Sequence, residues 1–301
     1  MESGIGRRGL VIAMGGVVSG VMGVASMTVP GLAIAQNNGN NKRNAARAGV
    51  ANFVAGDANI ADGDAAPQPL ANGTVVKQGQ AIETGATGEV HIVFDDGGFL
   101  ALRPSSRIQI DRAQITGAFS DSLSMTLLRG AMRSITGWIG KFDHNNYQLR
   151  TPTATVGIRG TDHELAIIDA GDEKKGEVAG VHNWVHEGGT TLSNAAGHTD
   201  VEPNHAAWAG HNGQAPQLHQ GIPTYLQNRK TAHERRINAH AQHITEHIEK
   251  RMQKHGMIRP GETLKDAQQR HKAQPANAVN EPEKPKHPGK DAAKEKRHAR
   301  K

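Results

Sequence analysis

The sequence predicts a mainly β protein with a helix towards its carboxyl end. Between residues 50 and 207, short runs of β-branched and aliphatic residues alternate with turns rich in Gly, Asn and Asp. Val90, Ile92 and Phe94 fall on one side of a strand and their neighbours on the other. Residues 227–255 lack both Gly and Pro. We therefore expect a β-sandwich, a β-roll or a short β-solenoid of many short strands, followed by an amphipathic helix and a disordered tail.

The first 35 residues have the features of an export signal. Arg7 and Arg8 precede an apolar run without charges, residues 9–29, and Ala33-Ile34-Ala35 is a small-x-small cleavage site. The apolar run is also long enough for a retained membrane anchor, and the arginine pair would suit a twin-arginine signal. We expect cleavage after residue 35 and a periplasmic or secreted protein.

The exported part divides by composition into a leader, one domain and a linker. Residues 36–49 are rich in Asn, Ala and Arg and are expected to be a flexible leader. Residues 50–210 are enough for one β domain with its own core, and residues 211–226 would be a linker. The chain has no cysteine, which excludes thiol catalysis, cysteine zinc sites and thioether-linked haem. No later segment is long and apolar enough to cross a bilayer.

Residues 227–255 are predicted to form a basic, histidine-bearing helix. Ile237, Ile248 and Met252 belong to a series of apolar residues at three- and four-residue steps, which makes a narrow apolar stripe. Gly256 would end the helix. Residues 256–301 are expected to be a mostly disordered basic tail with room for one short helix, and the β domain is expected to fold without any of this region.

The positive charge of the protein is concentrated at its carboxyl end. From residue 226 onward there are 19 Lys or Arg against 9 Asp or Glu, which leaves 16 against 20 before it. A lysine-rich arm on an exported protein favours an anionic envelope surface as its partner, with a solvated arm that binds nothing as the alternative. Aromatic residues are not interleaved with the basic ones, so no nucleic-acid partner is expected.

Four histidines share one side of the predicted helix. His233, His240, His243 and His247 fall within about 80° of one another on a helical projection. Imidazoles one turn apart suit zinc, copper or nickel. The His-Glu-x-x-His pattern is absent, and an ordinary solvated polar face is the alternative. We expect no resident cofactor, with weak transition-metal binding as the open possibility.

Three blocks of the β region carry the most specific pattern. The first, residues 79–98, contains Thr-Gly and Asp-Gly turns between strands, and the second is residues 127–134. The third, residues 149–164, is predicted to be two strands joined by a glycine turn, with Pro152 beginning a strand or lying on an edge. In this order the blocks resemble the FecR domain, the periplasmic module of bacterial iron-dicitrate-type signal transducers. The matching positions are Thr84, Gly85, Asp96, Gly97, Pro152, Thr155, Gly157, Arg159, Gly160 and Thr161.

The resemblance implies a non-catalytic binding, signalling or scaffold module with an envelope protein as partner. Family transducers carry a cytoplasmic anti-sigma region ahead of a membrane helix, whereas eight residues precede the apolar run in this sequence. The sequence therefore predicts a stand-alone version that does not contact a cytoplasmic sigma factor. The alternative function is a periplasmic transition-metal-binding protein that uses the helical histidines.

Arg159 and Asp162 are the candidate contacts for a ligand or partner. Arg159 lies at a predicted turn tip, where its guanidinium offers a planar fork to a carboxylate, and a surface turn or an internal salt bridge is the alternative. Asp162 stands beside His163, but neighbours in a strand point to opposite faces and no nucleophile with its base is identifiable. The sequence thus predicts no enzyme. The Asp95-Asp96-Gly97 run fits a hairpin turn better than a calcium loop.

Overall fold

The computed structural model of the chain describes residues 45–171, 176–227 and 232–273. The predicted export signal, most of the predicted leader and the last part of the basic tail lie outside these residues. The described part is mainly β, as predicted. None of its helices is both long and apolar enough to span a bilayer.

The described residues contain eighteen strands, four helices and one short 3-10 turn. In chain order the strands are β1 (Arg47–Ala55), β2 (Ala58–Asp62), β3 (Gln68–Pro69), β4 (Val75–Lys77), β5 (Gln80–Thr84), β6 (Glu89–Phe94), β7 (Phe99–Leu102), β8 (Arg107–Gln114), β9 (Ser122–Arg129), β10 (Ala131–Ile135), β11 (Tyr147–Arg150), β12 (Thr155–Ile158), β13 (Asp162–Ile168), β14 (Gly180–Glu187), β15 (Thr190–Asn194), β16 (Gly197–Val201), β17 (Ala206–Ala209) and β18 (Gln217–Leu218). The helices are α1 (Trp138–Phe142), α2 (Thr224–Gln227), α3 (Ala232–Lys254) and α4 (Leu264–Ala273), and the 3-10 turn is His144–Asn146.

The strands form two sheets, and the chain winds back and forth between them. Sheet 1 has the order β18-β17-β14-β13-β10-β7-β6-β1-β4, and sheet 2 has the order β16-β15-β12-β11-β9-β8-β5-β2-β3. Neighbouring strands are antiparallel except β9 and β11, which are parallel. The chain adds one or two consecutive strands to one sheet and then crosses to the other, so both sheets contain strands from all parts of the β region.

The hydrophobic core lies between the two sheets. Val90, Ile92 and Phe94 are fully or almost fully buried, which confirms the face predicted from their alternation. In the adjoining strand β7, Leu100 and Leu102 stand opposite Ile92 and Val90 and complete the sheet 1 side. The main buried residues on the sheet 2 side of the same cluster are Ile82, Ile108, Ile110, Met125, Leu149, Val156 and Leu192.

The outer face of sheet 1 carries charged residues. Arg133 of β10 stands opposite Ala101 of β7 and Glu164 of β13, whereas its neighbour Met132 points into the core. Since side chains alternate along a strand, the charged residues of β10 and β13 share the face that points away from sheet 2. Helix α3 lies on this face.

Helix α3 and the segment after it are part of the domain. Ile237, Ile248 and Met252 are buried in the same cluster as the strands, and so are Met257 and Ile258 beyond the helix. The region from residue 229 onward, whose removal was expected to leave a folded β domain, therefore supplies part of the core.

The folded structure extends further along the chain than the composition indicated. Gly256 has a φ of +70° and follows α3, as predicted for a helix stop. Residues 257–263 lead into α4, which lies where the tail was expected to have room for one short helix, at about residues 262–274. There the His271 ring stacks on Phe119 with centroids 4.1 Å apart. In the predicted linker, Leu226 of α2 packs on Ala131 and Ala166 of sheet 1.

Candidate functional site

The threonines of the FecR-like motif hold the backbone together. The Thr84 hydroxyl donates to the carbonyl of Arg103 at 2.6 Å and accepts from the amide of Ser106 at 2.9 Å. The Thr161 hydroxyl donates to the carbonyl of Gly189 at 2.6 Å. Both side chains are buried. Their hydroxyls are therefore engaged in structural hydrogen bonds to the backbone of the β7–β8 and β14–β15 turns.

The glycines and the proline of the motif have different surroundings. Gly160 has a φ of +74° and forms the turn between β12 and β13. At Gly85 a Cβ would lie 2.9 Å from the Asp57 side chain, so this position requires the absence of a side chain. Gly157 lies within β12, where a Cβ would make only ordinary contacts. Pro152 neither begins a strand nor lies on an edge. It lies in the bend between β11 and β12, and β12 starts only at Thr155.

Asp96 and Gly97 form the predicted turn between β6 and β7. The Asp96 carboxylate is fully buried and accepts a hydrogen bond from the amide of Gly98 at 2.8 Å. Burial raises the pKa of Asp96 to about 6, although the hydrogen bond from Gly98 opposes the shift. Gly97 has a φ of +79° and faces Arg251 of α3. The turn therefore connects two strands and also contacts helix α3.

His163 lies on the inner face of sheet 1. It is fully buried, and its Nδ1 is hydrogen-bonded to Asn183 Oδ1 at 2.9 Å. Burial lowers the pKa of His163 to about 4, so the ring is neutral at physiological pH.

Arg159 lies at the predicted turn tip and is paired within the chain. Its Nη1 donates to Asp200 at 3.1 Å and its Nη2 to Glu202 at 3.0 Å. We call these three residues the exposed cluster, because the Arg159 side chain is 35% exposed and both carboxylates are more exposed still. The internal salt bridge left open by the sequence is therefore present.

Asp162 belongs to a different site from Arg159. Its two carboxylate oxygens accept from Arg133 Nη2 at 2.7 Å and from Nε at 2.8 Å, a bidentate pair on the outer face of sheet 1. Beside it Arg103 Nη2 donates to Glu164 at 2.7 Å. The structure thus separates the two candidate contacts that the sequence placed three residues apart.

Helix α3 adds one carboxylate to these two pairs. Glu234 accepts from Arg103 Nη1 at 3.1 Å and from Arg133 Nη1 at 3.3 Å, so a single carboxylate bridges both guanidinium groups. Arg133 Nη1 also donates to the side-chain oxygen of Asn238. Together Arg103, Arg133, Asp162, Glu164 and Glu234 are named the buried network, since each side chain is 9–15% exposed.

The charges of the buried network support one another. Burial acts to lower the pKa of the Arg133 guanidinium, but the hydrogen bonds and charge of Asp162 outweigh it and raise the pKa above its ordinary value. Burial acts to raise the pKa of Glu164, but the hydrogen bond from His186 and the charge of Arg103 outweigh it and hold the pKa below its ordinary value. Both groups therefore stay charged across the physiological range.

A second ionic contact joins α3 to sheet 1. Arg236 Nη2 donates to Glu89 at 2.9 Å, and Glu89 contacts His91 Nε2 at 2.7 Å. The Arg236 guanidinium also lies 4.9 Å from the centre of the Phe53 ring. Glu89 and His91 are both buried. The amino-terminal half of α3 therefore rests on the sheet through charged groups.

Sequence reasoning missed Arg103, Arg133 and Glu234. The partners stand 101 to 131 residues apart, so no local spacing connects them. One signal was present: Arg133 follows Met132 in β10, and Asp162 and Glu164 alternate in β13, which indicates a charged outer face. Nothing in that pattern says that a helix covers the face.

The predicted histidine stripe stays a prediction. His233, His240, His243 and His247 all lie in α3, but the side chains of the first three are outside the described residues, and His247 is partly buried. Among the side chains that the structure describes, no group of three or more His, Asp or Glu is placed to hold a metal ion.

Comparison with known proteins supports the resemblance seen in the motifs. Residues 80–183 match the family model described as FecR protein, and this range includes every motif residue from Thr84 to Thr161. No protein with a curated description matches the chain. Two crystal structures of a protein from Parabacteroides distasonis ATCC 8503, proposed to be an anti-sigma factor, align with 12% and 11% identity and a TM-score of 0.38 each. The alignments cover 49% of this chain and 62% of that one, so the chain spans less than two thirds of their length.

Proposed function

We propose that this chain, which carries a FecR domain at residues 80–183, is an exported, non-catalytic binding and signalling module of the cell envelope. The family match is the observation that carries the proposal. The sequence of residues 1–35 supports export. A protein in the envelope would act through contacts with another envelope protein.

The geometry of the motif supports binding over catalysis. Thr84 and Thr161 donate to backbone carbonyls, Asp96 accepts from a backbone amide, and Asp162 is paired with an arginine. A nucleophile or general base would have to be within reach of a substrate and of its own catalytic partner. These side chains are instead used to fix turns and, at Asp162, to pair with the neighbouring strand.

The exposed cluster is the proposed partner contact. Exposed ion pairs contribute about 0–1 kcal/mol, so Arg159 can exchange Asp200 or Glu202 for a carboxylate of a partner at little cost. Sheet edges are a weaker alternative. Three of the four edge strands among the described residues, β3, β4 and β18, have only two or three residues, and short edges offer few backbone groups for strand addition.

Export is tested with a reporter enzyme that is active only outside the cytoplasm, fused after residue 301. We expect activity with the full chain and none after deletion of residues 1–35. A variant with Arg7→Lys and Arg8→Lys distinguishes the routes, because a twin-arginine signal requires both arginines. Equal activity of the full and the shortened fusion would contradict the proposal.

The contact at the exposed cluster is tested by photo-crosslinking in cells. A photoreactive residue in place of Glu202, whose side chain is 66% exposed, leaves Arg159 in place and should give an adduct of one discrete mass, whereas the same residue in place of the exposed Arg150, on the outer side of sheet 2, should not. Identical adduct patterns at the two positions would argue against a partner at the cluster.

Metal binding by α3 is the second candidate function. A continuous helix from Ala232 to Lys254 supports it, because the backbone positions of His240, His243 and His247 lie on successive turns. Calorimetric titration of residues 36–301 with zinc, copper and nickel tests it. Stoichiometric binding that is lost when the three histidines become alanine would establish the function, and equal binding by both proteins would remove it.

A further inference from the structure

Two arginines on the outer face of sheet 1 converge on one carboxylate. Each is already paired with a carboxylate of its own sheet, Arg103 with Glu164 and Arg133 with Asp162. The Nη1 atoms of both groups then meet at Glu234, 3.1 and 3.3 Å away. Two guanidinium groups held in place by their own partners form a pre-organised receptor for a further carboxylate.

The receptor and its occupant lie in different parts of the chain. Arg103, Arg133, Asp162 and Glu164 all fall within residues 80–183, the range that matches the family model, whereas Glu234 lies outside it. The sheet residues balance one another as two positive and two negative charges, so the face does not need Glu234 to be neutral. The FecR domain therefore carries the receptor, and α3 supplies a ligand for it.

The contacts of α3 define what the receptor recognises. Glu234 bridges the two arginines, Ile237 is buried, and Asn238 accepts from Arg133. These residues stand at positions i, i+3 and i+4 and share one side of the helix. Arg236 adds a contact to Glu89 from a side chain that is 45% exposed.

We propose that the face between Arg103 and Arg133 is a docking site for a helix of a partner protein, and that α3 fills it as an internal competitor. The partner helix carries a carboxylate, an aliphatic residue three positions later and a side-chain amide one position after that. The Nη1 atoms of the two arginines select it, because both are placed to donate hydrogen bonds to one carboxylate. The proposal rests on the proposed function as a binding module, and it adds the partner's chemistry and its regulation, since a partner must displace α3 to bind.

The test uses the full-length chain and fluorescent peptides. In the variant Glu234→Gln, α3 keeps its shape but loses the bridging charge. A peptide of residues 232–254 with the native glutamate is titrated against wild type and variant by anisotropy, beside a matched peptide that itself carries Glu234→Gln. We expect the native peptide to bind the variant at least tenfold more tightly than wild type, and at least tenfold more tightly than the matched peptide does.

A second peptide separates recognition of the three side chains from recognition of the whole helix. It keeps Glu234, Ile237 and Asn238 in an alanine- and lysine-based helix, and we expect it to retain binding to the variant.

Hydrogen exchange of sheet 1 shows that the variant is folded. Equal binding of the native and matched peptides, or no binding by any peptide, would overturn the proposal and make α3 a fixed part of the fold. Dimerisation of the variant would overturn it in favour of exchange of α3 between two copies. None of these results bears on export or on Arg159, so the proposed function would stand or fall separately.

Discussion

The exposed cluster and the buried network use the same chemistry in different surroundings. Arg159 pairs with two carboxylates at the edge of the domain, and its side chain is 35% exposed. Arg133 also pairs with two carboxylates, but its side chain is 9% exposed and lies under a helix. Water can replace the partners of Arg159, whereas the partners of the buried Arg133 can be replaced only by other carboxylates. The same ion pair is therefore adaptable at one site and a structural requirement at the other.

The difference follows from the cost of moving a charge out of water. A buried ion pair contributes little net stability compared with apolar groups of the same size, but removal of one partner leaves a buried charge without compensation. An exposed pair loses only a screened attraction. Substitutions at the two arginines should therefore differ several-fold in effect.

The largest effect is expected at the buried network. Arg133→Ala leaves Asp162 and Glu234 without their shared cation, and we expect the free energy of unfolding to fall by about 3–5 kcal/mol. Chemical denaturation followed by circular dichroism measures it. A loss below about 1 kcal/mol would show that this face is more open to water than the structure indicates.

Two buried titratable groups, Asp96 and His163, should make the free energy of unfolding depend on pH in opposite directions. Asp96 has a pKa raised to about 6, so its stabilising contribution is complete below about pH 4 and is lost as the pH rises through about 6. His163 has a pKa lowered to about 4, so its contribution is complete above about pH 6.5 and is lost as the pH falls through about 4. Each amounts to about 3 kcal/mol, and between pH 4 and 6.5 the two slopes oppose each other.

Single variants should separate these opposing slopes. Relative to wild type, Asp96→Asn should gain about 3 kcal/mol in free energy of unfolding between pH 4 and pH 7. His163→Gln should gain a similar free energy of unfolding relative to wild type as the pH falls from 7 to 4. Denaturant titrations at several pH values measure both, and parallel curves for wild type and variant would mean that the group is not buried as described.

The smallest effect is expected at the exposed cluster. Arg159→Ala should lower the free energy of unfolding by less than about 1 kcal/mol, and salt should reduce the difference further. The same denaturation assay at low and high ionic strength measures it. A salt-independent loss comparable with that of Arg133→Ala would abolish the distinction between the two sites.

Local patterns predicted the strands but not the cover of sheet 1. Alternation identified the inward face of β6, and the Asp and Gly residues identified the Asp96-Gly97 turn. Apolar residues at three- and four-residue steps identified the helix that includes Ile237. The motifs also identified the region that matches the FecR family model. The docking of α3 could not be derived in this way, because Arg133 is typical of a solvent-facing strand, Arg103 of the turn after a strand, and Glu234 of a solvent-facing helix.

Two further features depended on tertiary structure. Arg159 was correctly placed at a turn tip, but its partners Asp200 and Glu202 come from a region 41 and 43 residues away, which no local pattern indicates. Pro152 was expected to begin a strand or lie on an edge because it cannot donate to a ladder. It lies instead in a bend that Thr151 closes by hydrogen bonds to Ala154.

Hydrogen exchange along α3 tests the central claim, that Glu234 holds this helix on the charged face of sheet 1. Exchange rates of the amides in the first half of Ala232–Lys254 are compared among wild type, Glu234→Gln and the control Arg159→Ala. We predict at least tenfold faster exchange in Glu234→Gln, with the strands of sheet 1 unchanged, and wild-type rates in Arg159→Ala. Equal rates in all three proteins would contradict the claim.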